Sequence, residues 1–318
     1  MKSYKCILFD LDHTLWDYES NSEEALRELF DRYQLQQAGV TSFNYFFEVF
    51  GRINTGLWDL YDRGLIDQSV IRLERFQKVF SAAGLDEYKL SLQFSGDYLS
   101  LLPRKKNLLP GAQDILQYLR PRYPMGVVTN GFDEIQGTKL SSGGISHFFS
   151  TIVTSQRAGS KKPSAGIFMF ALRELGFDPN DAIMIGDNLQ TDIAGARSAG
   201  IDQVFFNPRQ AAPESTASGG ATEHFSMPAA PMPSRSTRIM EVTTLSLVAA
   251  VVLRRSQAVP NTHSKKARLS LSSASSTGRD CDPILTTTVS EAGSTTSHWP
   301  CMPMPQNQPL PLWYHLLR

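Results

Sequence analysis

Short runs of nearly continuous apolar residues recur through the first two thirds of the chain, at positions 4–9, 125–128, 148–154, 182–185 and 203–206. A strand covered on one face alternates apolar with polar residues; these runs do not, so they are expected to be strands buried on both faces. Stretches with helical spacing lie between the later runs, at 112–120, 165–175 and 192–199, and the last two stop at Gly176 and Gly200, residues suited to closing a helix. Strand and helix in alternation predict a parallel α/β sheet, whose ligands bind at the carboxyl ends of the strands.

Far more chain separates the first run from the second than a βα unit needs. Most of it carries helical spacing. Asn21 with Glu24 has the form of a capping box, followed by Ala25, Leu26, Leu29, Phe30 and Tyr33 on one face. Val70, Leu73, Phe76, Val79 and Phe80 repeat the pattern up to Gly84, and 88–102 gives another stretch before Pro103. The pattern predicts a helical insertion at 17–100, launched from the carboxyl end of the first strand, with 1–16 and 101–208 forming the α/β core.

Four of the predicted strand ends carry polar chemistry. The first ends in Asp10-Leu11-Asp12-His13-Thr14, the second in Thr129-Asn130-Gly131, the third is followed by Lys161-Lys162-Pro163, and the fourth ends in Gly186-Asp187 with Asp192 beyond. Two carboxylates two apart on a strand point to opposite faces, so Asp10 and Asp12 serve one site only if the chain turns sharply after Asp10. Together the set suits phosphoryl transfer through a carboxylate. The nucleophile faces an anionic phosphate, a repulsion relieved by a lysine and a hard cation held by oxygens. A second carboxyl group then supplies the proton to the leaving alkoxide and takes one from water.

In this order, Asp10-x-Asp12-x-Thr14, Thr129-Asn130, Lys162-Pro163 and Gly186-Asp187-x4-Asp192 resemble the four motifs of the haloacid dehalogenase-like (HAD) hydrolase superfamily, over residues 1–208. The resemblance implies a Rossmann-like core, with 17–100 as a C1-type helical cap whose closure excludes water and selects the substrate. It implies Asp10 as nucleophile and Asp12 as general acid/base. It also implies Mg²⁺ held by the Asp10 side chain, the Asp12 main-chain carbonyl and Asp187, with Asp192 in outer-shell support. Thr129, the Asn130 backbone and Lys162 would hold phosphoryl oxygens. Of the two lysines, Lys162 is chosen because the family places its catalytic lysine directly before proline, which leaves Lys161 solvated. An aspartate at position 12 favours a phosphatase over a 2-haloacid dehalogenase. Residues 12–17 followed by 21–26 are similar to pyrimidine 5′-nucleotidases of this superfamily, which implies a nucleoside monophosphate as substrate. Phosphoglycolate- and sugar-phosphate-directed relatives share the four motifs, and a non-catalytic HAD-like binding protein is the remaining alternative. His13 is expected to be a spectator. Trp16, Phe46, Phe47, Trp58 and Tyr61 are candidates for stacking a nucleobase, though each is expected to pack in the cap.

Composition divides the chain near Pro208. Residues 1–208 hold 28 of the 32 aromatics and 21 Lys/Arg against 25 Asp/Glu; residues 209–318 hold 28 Ser/Thr, 11 of the 18 prolines and only 16 charged residues. So few large apolar side chains do not offset the entropy of ordering, so 209–318 is expected to be a low-complexity, disordered tail. Its abrupt start, where the family's last strand and helix should lie, points first to an out-of-frame C-terminus. A disordered appendage and an interaction segment using basic clusters such as 265–268 are the other readings. The whole chain balances 31 basic against 31 acidic residues, which offers no field for nucleic acid. Cys6, Cys281 and Cys301 lack CxxC spacing, so neither a disulfide framework nor a zinc site is expected. The first apolar run stops at Asp10 and the stretch 245–253 is too short for a bilayer, which predicts a cytoplasmic protein with no membrane span.

Overall fold

The computed structural model describes residues 4–208, 240–245, 248 and 252. Strands β1 (Cys6–Phe9), β2 (Met125–Thr129), β3 (Thr151–Thr154), β4 (Ala182–Gly186), β5 (Asp202–Phe206) and β6 (Met240–Val242) form one parallel sheet in the order β3-β2-β1-β4-β5-β6. All four residues of β1 are fully buried. Ile7 and Phe9 pack into one apolar cluster, with Leu116 and Leu119; Cys6 and Leu8 pack into another, with Phe168 and Leu172. Burial on both faces is why these strands read as unbroken apolar runs. The run at 148–154 splits, because Ser146–Phe148 forms a 3₁₀ turn and the strand begins only at Thr151.

Helices α1 (Tyr18–Arg32), α2 (Phe43–Asp62), α3 (Gln68–Ala82) and α4 (Tyr88–Leu101) fill the interval between β1 and β2. The rest of the chain adds α5 (Ala112–Leu119), α6 (Asp133–Ser142), α7 (Ser155–Ala158), α8 (Ala165–Leu175) and α9 (Ala194–Ser198). A π-helical turn, Leu189–Ile193, precedes α9, so the helix expected from 192 begins irregularly. The strand order reverses at β1, and a crevice at the carboxyl ends near such a reversal is where ligands of open α/β sheets bind. The cap is launched from this point.

Two expectations about the cap are corrected. Helix α1 is capped by Asp17, whose carboxylate accepts from Ser20 N at 3.1 Å, and not by Asn21. Asn21 is buried inside the helix and clasps Asn107, donating to its carbonyl at 2.8 Å and accepting from its N–H at 2.9 Å, which ties the chain leaving the core to the chain returning to it. In α3 the buried residues are Ile71, Arg75, Phe76, Val79 and Phe80, while Leu73 is 54% exposed and Val70 half-buried. Positions 70 and 73 lie off the centre of that stripe at 100° per residue, and the sequence pattern hid this because Arg75 takes an apolar place. Its guanidinium lies 5.1 Å from the Phe76 ring centroid and 4.9 Å from that of Tyr98, with Nη1 donating to Asn54 at 3.1 Å.

The sheet also extends beyond the boundary read at residue 208. β6 pairs in register with β5 from Val204↔Met240 to Phe206↔Val242, and Asn207 donates to the Val242 carbonyl at 2.8 Å. Leu245, Val248 and Val252 are buried in the same apolar cluster as Ile7 and Phe9. The β5 edge is therefore covered, and at these positions the chain beyond 208 joins the sheet and the core where a disordered tail was expected. The remainder of 209–318, including the expected disorder and the cluster at 265–268, lies outside the described residues. Among the described residues no helix is long and apolar enough to cross a membrane.

Candidate active site

The turn that Asp10 and Asp12 require is present. His13 adopts a left-handed φ of 64°, and the N–H groups of Leu15 and Trp16 both donate to the Leu11 carbonyl at 2.9 Å, folding the chain back directly after β1. Non-glycine residues seldom occupy this region, so the loop is held by these bonds against its own preference. His13 contributes this backbone turn, with its imidazole 3.9 Å from Glu19.

Lys162 stands at the centre of the site. Its Nζ donates to Asp10 Oδ1 at 2.5 Å, to Asp192 Oδ1 at 2.7 Å and to the Val128 carbonyl at 3.0 Å, which uses all three ammonium protons. The loop that carries it is pinned to the end of β2 by Asn130, whose Oδ1 accepts from Lys162 N at 2.9 Å while Nδ2 donates to Lys162 O at 3.0 Å. Thr129 is buried beside it, with Oγ1 accepting from Gly131 N at 3.0 Å. Asp187 lies at the end of β4, accepting from Thr14 Oγ1 at 3.2 Å. Gly186 is required there, because a methyl group on it would lie 2.4 Å from Asp192 Oδ2. The structure thus brings Asp10, Thr129, Asn130, Lys162, Asp187 and Asp192 together, from four strand ends.

Asp12 shares the loop, but its carboxylate is held by a residue that sequence reasoning missed. Lys139, buried on α6, reaches both Oδ1 and Oδ2 at 2.7 Å. The signal for it is its place in the buried stripe Ile135, Gln136, Lys139 and Leu140, where a charged residue needs a reason. Lys161 also departs from expectation. It is not a solvated side chain: its Nζ donates to the Tyr61 carbonyl and lies 4.0 Å from the Tyr61 ring centroid, joining core to cap.

Oxygens of Asp10, Asp187 and Asp192 lie within 4.8 Å of one another. Burial pushes the Asp10 carboxyl up to about 7, against the pull of Lys162 and with added repulsion from Asp192. Burial also drives Asp187 well above the usual carboxylate range, and the charges of Asp10 and Asp192 add to this. Burial alone would lower the Lys162 ammonium, yet Asp10 and Asp192 outweigh it and raise it. Three carboxylates face one ammonium, a deficit of positive charge that an oxygen-bound divalent cation would close. The donor set fits such an ion. Asp192 already spends Oδ1 on Lys162 and Oδ2 on Asn188 N, which leaves Asp10 and Asp187 as the carboxylates with capacity for it.

The cap closes over this cluster. Gln68 donates to the Asn130 carbonyl at 2.7 Å, Asp62 accepts from Asn130 Nδ2 at 2.9 Å, and the Tyr61 and Ser155 hydroxyls are 3.1 Å apart. A cleft of about 470 Å³ opens between Tyr61, Gln68 and Ser69 of the cap and Ser155, Ser160 and Lys161 of the core, and the carboxylates of Asp10, Asp12, Asp187 and Asp192 are not among its lining. Of the aromatic candidates, Trp16 and Phe46 are fully buried and Phe47 packs against the core cluster. Trp58 and Tyr61 stand at the cap boundary, with Trp58 5.6 Å from Phe132 of the core, centroid to centroid.

Comparison with known proteins agrees with this geometry. The chain is 31% identical over 207 residues to the pyrimidine 5′-nucleotidase PynA of Streptococcus pneumoniae, covering 64% of this chain and 84% of that one. It is 29% identical over 202 residues to the pyrimidine 5′-nucleotidase YjjG of Escherichia coli, covering 63% and 85%. The fold matches that of the HAD-hydrolase YfnB of Bacillus subtilis in its magnesium-bound crystal form, with a TM-score of 0.65, 24% identity, and coverage of 79% of this chain and 100% of that one. The family model for haloacid dehalogenase-like hydrolases matches residues 4–200, a span that contains every residue of the buried cluster, and the chain therefore belongs to that family.

Proposed function

We propose that the protein is a Mg²⁺-dependent phosphomonoesterase that works through an aspartyl-phosphate on Asp10 and removes phosphate from pyrimidine nucleoside 5′-monophosphates. The observation that carries this reading is the buried Asp10–Lys162–Asp192 cluster with Asp187 beside it and a second carboxylate, Asp12, on the same loop. When bound between Asp10 and Asp187, the cation would supply positive charge against the phosphoryl oxygens. Lys162 aims Asp10 and neutralises part of the charge it meets, while the Thr129 hydroxyl and the Asn130 backbone bind phosphoryl oxygens. An Asp10 oxygen attacks phosphorus and Asp12 gives its proton to the leaving 5′-oxygen. Asp12 then takes a proton from the water that releases phosphate from Asp10. Displacement of halide from carbon has no use for this acid/base, which is why phosphate chemistry is favoured over dehalogenation.

The nucleotide assignment rests on the two pyrimidine 5′-nucleotidases among the relatives. A sugar phosphate is the second reading, favoured by 28% identity over 210 residues to a ribulose-1,5-bisphosphate 5-phosphatase of Halopiger xanaduensis. A screen of UMP, dUMP, dTMP, phosphoglycolate and sugar phosphates separates them. The expected result is highest kcat/KM on the pyrimidine nucleotides, with activity lost in EDTA and restored by Mg²⁺. Preference for a sugar phosphate or phosphoglycolate moves the substrate and keeps the mechanism. Binding without turnover of any ester identifies a non-catalytic relative.

A further inference from the structure

Lys139 lies in none of the four strand-end motifs, yet it is the second buried lysine of the site. It projects from α6, the helix that follows Thr129 and Asn130, with 3% of its side chain exposed against 23% for Asp12. Its Nζ sits 2.7 Å from each Asp12 oxygen and 4.6 Å from the Trp16 ring centroid. Burying an ammonium is costly, and a methionine or leucine would fill the space beside Trp16 at less cost. Stability does not account for the charge.

Its effect is to fix a carboxylate. Asp12 sits in the turn after β1 with its side chain 23% exposed, where it would sample several rotamers if unpaired; two short bonds to one buried ammonium select one. The two carboxylates of the loop are thus served separately, Asp10 by Lys162 and Asp12 by Lys139. We infer that Lys139 is a positioning residue for proton transfer by Asp12, binding both carboxylate oxygens and so fixing the rotamer from which Asp12 serves the leaving oxygen of the phosphomonoester. This rests on the reading of Asp12 as general acid/base. As the bond from phosphorus to the leaving oxygen breaks, the Asp12 proton moves to that oxygen and Asp12 remains as a carboxylate on Lys139. When water attacks phosphorus and the bond to Asp10 breaks, a proton of that water returns to Asp12. Lys139 keeps its protons throughout.

The leaving group reads this role. The 5′-alkoxide of UMP needs the proton, whereas p-nitrophenolate departs without it. The ratio kcat/KM covers the steps up to departure of the leaving group, so the later hydrolysis common to both esters does not enter it. Lys139→Met is expected to lower kcat/KM for UMP by about 10²-fold and for p-nitrophenyl phosphate by less than about tenfold, with partial recovery in Lys139→Arg. Asp12→Asn should show the same selectivity more strongly, and adding Lys139→Met to it should cost nothing further, because both act through one carboxylate. Equal losses on the two esters in Lys139→Met, no loss at all, or an added loss in the double variant would each overturn the assignment. If Asp12→Asn itself fails to discriminate between the esters, the acid/base reading of Asp12 falls instead. Should Lys139→Met not fold, Lys139→Arg carries the test, since it keeps the charge and displaces the carboxylate. A selective loss on UMP then supports the role, and an unchanged ratio of the two esters overturns it.

Discussion

Asp10→Asn is expected to lower phosphatase activity by at least about 10⁴-fold while leaving the protein folded. The amide keeps the shape of the carboxylate but is a far poorer nucleophile, and it removes one of the charges that would hold a cation. Folding should survive for a reason visible in the site. The Asp10 carboxyl is buried and pushed up to about 7, so its ionised form is a liability to the metal-free fold rather than a support. Lys162 keeps Asp192 and the Val128 carbonyl as partners after the change. Initial rates on UMP with Mg²⁺, together with a thermal melt, check both halves.

Lys162→Met is expected to fail on both counts. Lys162 is the cation in contact with Asp10 and Asp192, and its side chain is 4% exposed. Removing it strands two buried carboxylates and a carbonyl. Breaking a buried pair from one side costs about 3–5 kcal/mol, a large fraction of the roughly 5–15 kcal/mol that holds a domain together. A fall in Tm of about 10 °C or more should accompany loss of activity. Because the loss comes from orphaned charge, Asp10→Asn in the Lys162→Met background should recover part of the Tm without recovering activity. A double variant no more stable than Lys162→Met would show that packing around the lysine, and not the charges, sets the stability. Calorimetry of the four proteins gives the cycle.

The candidate site was legible because each part of it is a short contiguous text at a strand end. Asp10, Thr129, Lys162 and Asp187 follow apolar runs that only a doubly covered sheet explains, and the sheet itself brings those ends together. What was hidden acts across the chain or against composition. Lys139 belongs to a different βα unit from Asp12, and only the packing of α6 on the first loop unites them. The residues from Met240 to Val252 were masked by Ser/Thr- and Pro-rich surroundings, since three strand residues and three buried apolar ones barely move the average of so long a segment. Arg75 disguised the face of α3 by occupying a core position under aromatic rings. Asn21 was misplaced because a capping box is also satisfied by chance spacing, whereas Asp17 sits where the helix begins. Local rules therefore found the residues that gather at the strand ends, and tertiary contacts found what holds them.

The stereochemical course at phosphorus tests most directly whether Asp10 forms a covalent bond to it. Hydrolysis of a nucleoside monophosphorothioate made chiral with oxygen isotopes needs no accumulation of an intermediate. Two successive in-line displacements, first by Asp10 and then by water, each invert the centre and together retain it. Retention of configuration in the released thiophosphate is the expected result. Inversion would mean a single attack by water, and would contradict the assignment of Asp10 as nucleophile.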